Sequence, residues 1–190
     1  MAIDSTRDCQ VYLLAAGRGR RAGGPKAWRD CGGRPLLQRQ LEFLGGVFPA
    51  GRVAVSVQAG WEAACRTLPG AALWVPADPG APALASLLAL ARALPLDRWT
   101  FLLHVDMRVW DPEAWESLAR LIPRARQEGW DALVPVHEGR RGHPVLLGPD
   151  LRSGLLALDP AQDRLDSWLR GRCVREVPVS CASIRDNWNS

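Results

Sequence analysis

The sequence predicts an α/β fold in which a mostly parallel sheet lies between two layers of helices. Two observations favour it: short apolar runs alternate with helical patterns along most of the chain, and the runs are typical of strands covered on both faces. Such alternation implies right-handed βαβ units and a three-layer α/β/α sandwich. Because no linker or internal repeat divides the 190 residues, we expect a single domain over residues 1–190.

The individual elements follow from apolar patterning and from turn residues. Strands are predicted at 10–15, 52–58, 72–76, 99–105, 132–136, 144–147 and 173–179. Helices are predicted at 35–44 (stopped by Gly45 and Gly46), 61–68, 82–94, 112–122 (capped by Asp111), 150–158 and 162–170. In such sheets ligands bind at the carboxyl ends of the strands. A glycine-rich loop follows the first strand and Asp106 follows the fourth, so both fall on that edge.

Composition excludes several classes of protein. With 47% hydrophobic and 23% charged residues, the chain is neither disordered nor collagen-like. No apolar run approaches the roughly 18 residues of a membrane span, and the polar N-terminus is unlike a signal peptide. The five cysteines form no Cys-x-x-Cys pair, which favours reduced thiols. We therefore expect a cytoplasmic protein with no membrane partner.

The positive charge is concentrated near the N-terminus. Residues 1–40 carry seven Arg and one Lys against three Asp, a net of +5, whereas the whole chain nets +4 and the remainder therefore −1. Such a local excess indicates an anion site, since nucleic-acid binders usually spread basic residues over a face, so we expect no nucleic-acid partner. Lys26 is the only lysine of the chain, which favours a specific role for its ammonium group.

The glycine-rich loop spans residues 13–26 (LLAAGRGRRAGGPK). Glycines let consecutive backbone N–H groups approach phosphate oxygens, and basic side chains neutralise the phosphate charge. A Walker loop requires Gly-Lys followed by Ser or Thr, but here Pro25 separates Gly24 from Lys26, and Ala27 follows.

A dinucleotide fingerprint can be placed on Gly17, Gly19 and Ala22, but it would have to open a helix, which residues 23–25 (GGP) prevent. The acid expected at the end of the second strand is also missing, because residues 56–58 read SVQ. A plain surface loop is the remaining alternative, and the basic content argues against it. The loop is thus predicted to wrap a nucleoside triphosphate without Walker geometry.

The pattern Leu14-Ala15-Ala16-Gly17-x-Gly19-x-Arg21-x-Gly23-x-x-Lys26 resembles that of MobA-like nucleotidyltransferases. Residues 33–37 (GRPLL) resemble the start of that family's first long helix, and residues 105–107 (VDM) its metal-binding Asp segment. Residues 140–145 (RRGHPV) resemble the Gly-His-Pro segment of the molybdenum cofactor cytidylyltransferase branch. The resemblance implies a Rossmann-like sheet of the nucleotide-diphospho-sugar transferase type and transfer of a nucleoside monophosphate to a phosphorylated acceptor.

Roles can be assigned on this basis. Asp106, directly after an apolar strand, suits Mg²⁺, which takes one or two carboxylates and keeps sites for water and phosphate. Arg21 and Lys26 are predicted to act with Asp106 in catalysis by holding the triphosphate. The resemblance implies a second metal ligand at Asn189 or Asp186, and the alternative for this tail is a frayed polar terminus. His143 precedes Pro144 between two predicted strands and is expected to contact the acceptor; the alternative is a purely structural histidine. The predicted nucleotide-binding residues are Leu14, Ala15, Ala16, Gly17, Gly19, Arg21, Lys26, Asp78 and Ser86.

Several positions depart from the family pattern. Ala22 stands where Met or Phe is usual, His104 precedes Asp106, and Arg108 stands where Pro often follows. The tail 186–190 (DNWNS) resembles only the start of the family's late Asp-x-Asp/Asn-Thr-Pro-Glu-Asp segment. Trp28 and Trp110 flank the expected site and are predicted to line an acceptor pocket.

The function predicted is an Mg²⁺-dependent transfer of CMP from CTP to a phosphorylated small acceptor such as molybdopterin, with release of pyrophosphate. Leu-Ala-Ala-Gly at residues 14–17 accompanies cytidylyl transfer in the family, and the Ala16 methyl would fill space that a purine needs. A molybdoenzyme or chaperone partner is compatible with this role. The alternatives are a degenerate nucleotide-binding or regulatory module, a fragment of a longer protein, or a guanylyl or sugar-phosphate nucleotidyltransferase of the same fold.

Overall fold

The computed structural model describes residues 6–19 and 23–188. The strands join in one sheet: β1 (Gln10–Leu14), β2 (Val53–Gln58), β3 (Ala72–Ala77), β4 (Thr100–His104), β5 (Ala132–His137), β6 (Arg140–Arg141), β7 (Val145–Leu147) and β8 (Val174–Pro178). Every predicted strand is present to within one or two residues. The two-residue strand β6 was not predicted; it pairs with β5 across Glu138 and Gly139, both with positive φ, as in a tight hairpin turn.

The sheet is mixed, in the order β3-β2-β1-β4-β7-β5-β6, with β8 pairing β5. Strands β1 to β4 are parallel, whereas β7 runs antiparallel to both β4 and β5. The carboxyl ends of β1 to β4 therefore meet at one edge, where Val105 N donates to Leu14 O at 3.0 Å and Ala15 N to Ser56 O at 3.0 Å. These hydrogen bonds extend the strand pairing by one residue, to the first residue of the loops that follow β1 and β4.

The helices are α1 (Leu36–Val47), α2 (Glu62–Cys65), α3 (Ala83–Ala93), α4 (Pro112–Ala119), α5 (Ile122–Glu128), α6 (Arg152–Leu156) and α7 (Leu165–Leu169). Helix α4 begins as predicted, because the Asp111 carboxylate accepts from Glu113 N at 3.0 Å. The predicted stop of α1 at Gly45 and Gly46 is wrong. The helix continues to Val47, whose burial outweighs a cost of about 1 kcal/mol for each helical glycine.

Four predicted helices differ more in extent. The predicted helix 61–68 is reduced to the four residues of α2, and the last three helices also change. The chain beyond α4 forms a separate helix, α5, that ends at Gly129 in the left-handed conformation (φ 68°). The predicted helix 150–158 is a 3₁₀ turn followed by the short α6, and 162–170 is reduced to α7. None of the described helices is long and apolar enough to cross a membrane.

Two apolar clusters on opposite faces of the sheet create the three layers. Val11 and Leu13 of β1 join the cluster that covers α1, α4 and α5, whereas Tyr12 and Leu14 join the cluster that covers α3, α6 and α7. This alternation follows from the two-residue period of a strand. It confirms the predicted α/β/α sandwich, and all five cysteines are free thiols, as predicted.

Candidate active site

A cavity of about 240 Å³ lies at the carboxyl edge of the parallel strands. Its wall contains Asp106 and every predicted nucleotide-binding residue that the structure describes: Leu14, Ala15, Ala16, Gly17, Gly19, Lys26, Asp78 and Ser86. Arg21 lies outside the described residues. Residues from β1, the glycine loop, the β3–α3 turn, α3 and the end of β4 thus converge on one space, although they are scattered along the sequence.

The glycine loop turns back sharply before Lys26. Gly24 N donates to Gly19 O at 3.1 Å, and Gly19 has φ +59°. A Cβ on Gly19 would lie 1.8 Å from Gly24 O, so no other residue fits this conformation. The close approach of these two glycines directs the chain into the 3₁₀ turn Lys26–Trp28, which faces the end of β4.

Lys26 and Asp106 form an ion pair at the cavity wall. Lys26 Nζ donates to Asp106 Oδ2 at 2.6 Å, with only 21% and 17% of the two side chains exposed. The two residues are 80 positions apart in the sequence. The structure therefore brings the single lysine and the predicted metal ligand into direct contact, where partial burial strengthens their electrostatic interaction.

The fit of Mg²⁺ can be judged from the donor set. Among the described residues there is no group of three or more His, Cys, Asp or Glu side chains that could cage a metal ion. Mg²⁺ does not require one, because it is commonly bound by one or two carboxylates together with substrate phosphates and water. Asp106, in the wall of the cavity that the glycine loop lines, fits this pattern, and the described residues form no closed structural metal site.

The C-terminal segment 186–188 lies along the Asp106 loop. Trp188 N donates to Asp106 O at 2.7 Å, and Arg108 N donates to Asp186 O at 2.9 Å. The Asp186 carboxylate accepts from Arg108 Nη2 at 2.9 Å, so in this structure it neutralises Arg108. Asn189, the other predicted second ligand, lies outside the described residues, directly after Trp188.

A buried glutamine that the sequence analysis did not single out supports the same loop. Gln40 of α1 is fully buried, and its Nε2 donates to Val105 O at 2.9 Å and to Met107 O at 2.7 Å. Its Oε1 accepts from Trp110 Nε1 at 3.0 Å. The amide thus holds the backbone on both sides of Asp106. A sequence signal existed, because a polar residue interrupts the apolar face of α1.

Asp78 and Ser86 also line this cavity. Asp78 lies in the turn after β3, and Ser86 lies on α3. The Asp78 carboxylate accepts from Gly80 N at 2.7 Å, which closes the turn after β3. Ser86 is 7% exposed on α3. The hydrogen bond therefore positions the Asp78 carboxylate, and burial limits the space available to the Ser86 hydroxyl.

A second cavity, of about 940 Å³, adjoins the first and contains His143. Leu14, Ala83 and His104 line both cavities. The His104 and His143 rings meet edge to face, with centroids 5.5 Å apart. Burial lowers the pKa of both rings, that of His143 to about 4, so both are neutral at pH 7.

Trp28 and Trp110 line neither of these two cavities. Trp28 packs edge-on against Trp61, with ring centroids 5.6 Å apart, and Trp110 donates to Gln40. Their role in lining an acceptor pocket therefore stays a prediction. Both indoles are anchored by partners on the α1 side of the sheet.

The His143→Gln variant is expected to show a flatter dependence of stability on pH. Between pH 6.5 and about 4 the unfolded chain binds a proton at His143 that the folded chain does not, so the free energy of unfolding decreases as the pH falls. A pKa difference of this size corresponds to roughly 3 kcal/mol. Urea denaturation at pH 7 and pH 4.5 should show a smaller decrease for the variant than for the native protein. Equal decreases would contradict the prediction.

The architecture and the cavity place the chain among nucleotide-binding α/β folds with a mixed central sheet. The family model of the MobA-like NTP transferase domain matches residues 11–177. The chain belongs to this family, as predicted.

Solved structures confirm the fold. Rv0371c from Mycobacterium tuberculosis H37Rv is 22% identical, with a TM-score of 0.72 over 96% of this chain and 95% of that one; a further structure of Rv0371c is a complex with manganese. Molybdopterin-guanine dinucleotide biosynthesis protein A from Archaeoglobus fulgidus is 21% identical, with a TM-score of 0.66 over 90% and 83% of the two chains. A CMP:2-keto-3-deoxy-manno-octonic acid synthetase in complex with CTP is 15% identical, with a TM-score of 0.67 over 90% of each chain.

One curated relative matches a shorter stretch. The bifunctional enzyme IspD/IspF of Chelativorans sp. (strain BNC1) is 44% identical over 55 residues, which are 27% of this chain and only 14% of that enzyme.

Proposed function

We propose that the protein is a divalent-metal-dependent nucleotidyltransferase that transfers CMP from CTP to a phosphorylated small acceptor such as molybdopterin. One observation carries the proposal. The Lys26–Asp106 ion pair lies in the wall of a cavity lined by the glycine loop, and that cavity shares Leu14, Ala83 and His104 with a larger one. A triphosphate and an acceptor can thus lie in adjoining spaces on either side of one histidine.

The reaction requires alignment more than bond activation by the protein. An acceptor phosphate oxygen attacks the α-phosphorus of CTP, a new P–O–P linkage forms, and the bond to the β-phosphate breaks to release pyrophosphate. A phosphomonoester has its second pKa near 6, so it is largely ionised at pH 7 and needs no general base. The neutral His104 and His143 are compatible with this, because neither is required to remove a proton.

The protein groups would supply electrostatic stabilisation and positioning. Backbone N–H groups of the loop after β1 orient the phosphates, and the Lys26 ammonium offsets the charge that grows on the leaving pyrophosphate. Mg²⁺ held by Asp106, with Asn189 or Asp186 as second ligand, would neutralise charge on the phosphate oxygens. The manganese complex of Rv0371c supports the use of a divalent cation. Arg21 would also contact the triphosphate, and His143 would contact the acceptor.

Ala16 is expected to favour CTP over GTP. The residue is 2% exposed in the wall of the smaller cavity. Its methyl group would fill space that a purine edge needs. Ala16→Gly should therefore improve kcat/KM for GTP relative to CTP roughly tenfold, because one carbon in an apolar pocket is worth about 1–3 kcal/mol. Pyrophosphate release with each nucleotide measures the ratio. An unchanged ratio would reject this role for Ala16.

A thermal-shift panel with CTP, GTP, UTP and ATP, with and without Mg²⁺, tests the proposal as a whole. A nucleotide at about 100 times its Kd stabilises the folded state by roughly 2.7 kcal/mol, so binding is readily detected. An Mg²⁺-dependent shift with CTP, followed by acceptor-dependent pyrophosphate release, is the expected result. A shift with GTP alone would indicate guanylyl transfer, and a shift without turnover on any acceptor would indicate a binding module.

A further inference from the structure

The larger cavity is big enough to hold a complete small molecule. Its volume of about 940 Å³ is nearly four times that of the smaller cavity, which the proposed function assigns to the nucleotide and which is called the nucleotide cavity below. This volume lies at the upper end of the roughly 300–1,000 Å³ found for cavities that bind drug-sized ligands. A phosphate group alone would occupy only a small part of it. The acceptor therefore has a substantial body in addition to the phosphate that meets CTP.

The wall of this cavity nearest the sheet is apolar. Leu102 of β4 and Val134 of β5 form one side, and Leu84 and Leu87 of α3 form the other, all of them less than 9% exposed in the free protein. Such a surface favours a ring system or hydrocarbon, because burying apolar area contributes about 25 cal/mol per Å². The body of the acceptor is accordingly expected to be at least partly apolar.

The rim formed by the residues on either side of α7 is basic. Arg164 before the helix and Arg170 and Arg172 after it line this rim with Asp163 and Asp166. Arg141 of β6 also lines it but is paired with Glu176 at 2.6 Å, so these four arginines and three carboxylates give a net charge of +1. Asp166 is shared between Arg164, at 3.1 Å, and Arg170, at 3.6 Å. One carboxylate thus serves two guanidinium groups.

Arg172 is the rim arginine with the most capacity for a ligand. Within residues 6–19 and 23–188 it has no carboxylate partner, and its guanidinium lies 4.6 Å from the ring centroid of Trp168. Stacking on an aromatic ring holds the planar group in place while its N–H donors stay available to an anion.

From these three features we infer that the acceptor carries two anionic groups separated by an apolar body. One is the phosphate, which reaches the nucleotide cavity past His104; this part rests on the proposed function. The other is a carboxylate or phosphate held by Arg164, Arg170 and Arg172. An acceptor with a neutral far end leaves these guanidinium groups without a partner and binds more weakly.

Binding of two matched probes tests the inference without requiring turnover. One probe is a naphthyl phosphate, and the other is the same compound with a carboxylate on the far ring. Isothermal titration at 0.15 M salt (the roughly physiological ionic strength) should show that the native protein binds the two-anion probe roughly threefold to tenfold more tightly, since contacts of the exposed guanidinium groups are partly screened by water and salt.

The Arg164→Gln/Arg170→Gln/Arg172→Gln variant is called the α7 variant here, because these arginines flank α7. It should lose that preference while keeping its affinity for the one-anion probe. The matched control, Arg120→Gln/Arg124→Gln/Arg126→Gln, removes three exposed arginines, one directly after α4 and two in α5, on the other face of the sheet, and should keep the preference. Equal affinity of the native protein for both probes, binding of neither, or a preference that survives in the α7 variant would overturn the inference.

The CTP thermal shift separates this inference from the proposed function. The α7 variant should keep the native shift with CTP and Mg²⁺, because none of its three arginines lines the nucleotide cavity. If the native protein shows no shift with any nucleotide but still prefers the two-anion probe, nucleotidyl transfer fails and the anion site stands. If CTP binds and the preference is absent, the reverse holds.

Discussion

Asp106→Asn is expected to lower the rate of pyrophosphate release roughly 10³-fold while changing Tm little. Asparagine keeps the shape of the side chain but removes the charge that pairs with Lys26 at 2.6 Å and that would bind the divalent cation. Loss of one electrostatic contact to a transition state commonly costs about 10²–10³ in kcat, and loss of the cation adds to this. Both side chains still reach solvent, so water can hydrate the Lys26 ammonium when its partner is lost, and the cost to stability is expected near the upper end of the about 0–1 kcal/mol typical of surface ion pairs.

Asp111→Asn is the matched control for this substitution. It makes the same chemical change five positions further along, at the N-cap of α4, where asparagine caps a helix as well as aspartate does. Its rate and Tm should equal those of the native protein. Full turnover by Asp106→Asn in the presence of Mg²⁺ would exclude Asp106 as the metal ligand.

Lys26 allows the pair to be tested as a unit. Lys26→Ala alone should also reduce turnover by orders of magnitude, because Lys26 is the only lysine of the sequence and its ammonium group would no longer neutralise the triphosphate. The double variant with Asp106→Asn should be hardly worse than either single variant, since groups that act together give non-additive losses. Losses that simply multiply would indicate two independent roles.

The parts of this structure that the sequence predicts well are those determined by local patterning. The alternation of Val11 and Leu13 with Tyr12 and Leu14 fixes which face of β1 meets which layer. The glycine loop could be assigned because its conformation depends on residues close in sequence, such as Gly19 and Gly24. Asp106 was found because a carboxylate directly after a buried parallel strand lies at the ligand-binding edge.

The parts that were missed depend on contacts between distant segments. Periodicity shows that α1 has an apolar face but not that Gln40 in that face meets the loop after β4, 65 and 67 residues away. Arg164, Arg170 and Arg172, which flank α7, have no pattern in the sequence that distinguishes them from other surface charges, but in the structure they line a cavity together with Leu102 of β4 and Val134 of β5. Helix ends were also misjudged where burial of one residue, Val47, overrides glycine propensity.

Gln40→Leu is expected to destabilise the fold more than any other single change discussed above. Leucine fills a similar volume but leaves the Val105 and Met107 carbonyls and Trp110 Nε1 without their side-chain partner. An unsatisfied buried polar group costs about 1–3 kcal/mol, so a loss of roughly 2–4 kcal/mol in the free energy of unfolding is expected. Gln38→Leu, on the half-buried side of the same helix, should change it by no more than about 0.5 kcal/mol.

Activity shows whether Gln40 also positions Asp106. Because the amide holds the backbone on both sides of that residue, its loss should shift the carboxylate, and a displacement of about 1 Å can cost about 10²-fold in rate. Measured well below the Tm of the variant, kcat should fall by roughly that factor, and the Mg²⁺ concentration for half-maximal rate should rise several-fold, while Gln38→Leu changes neither. Since a purely structural glutamine would lower Tm and leave the Mg²⁺ dependence unchanged, that outcome would show that Gln40 stabilises the core without controlling the geometry at Asp106.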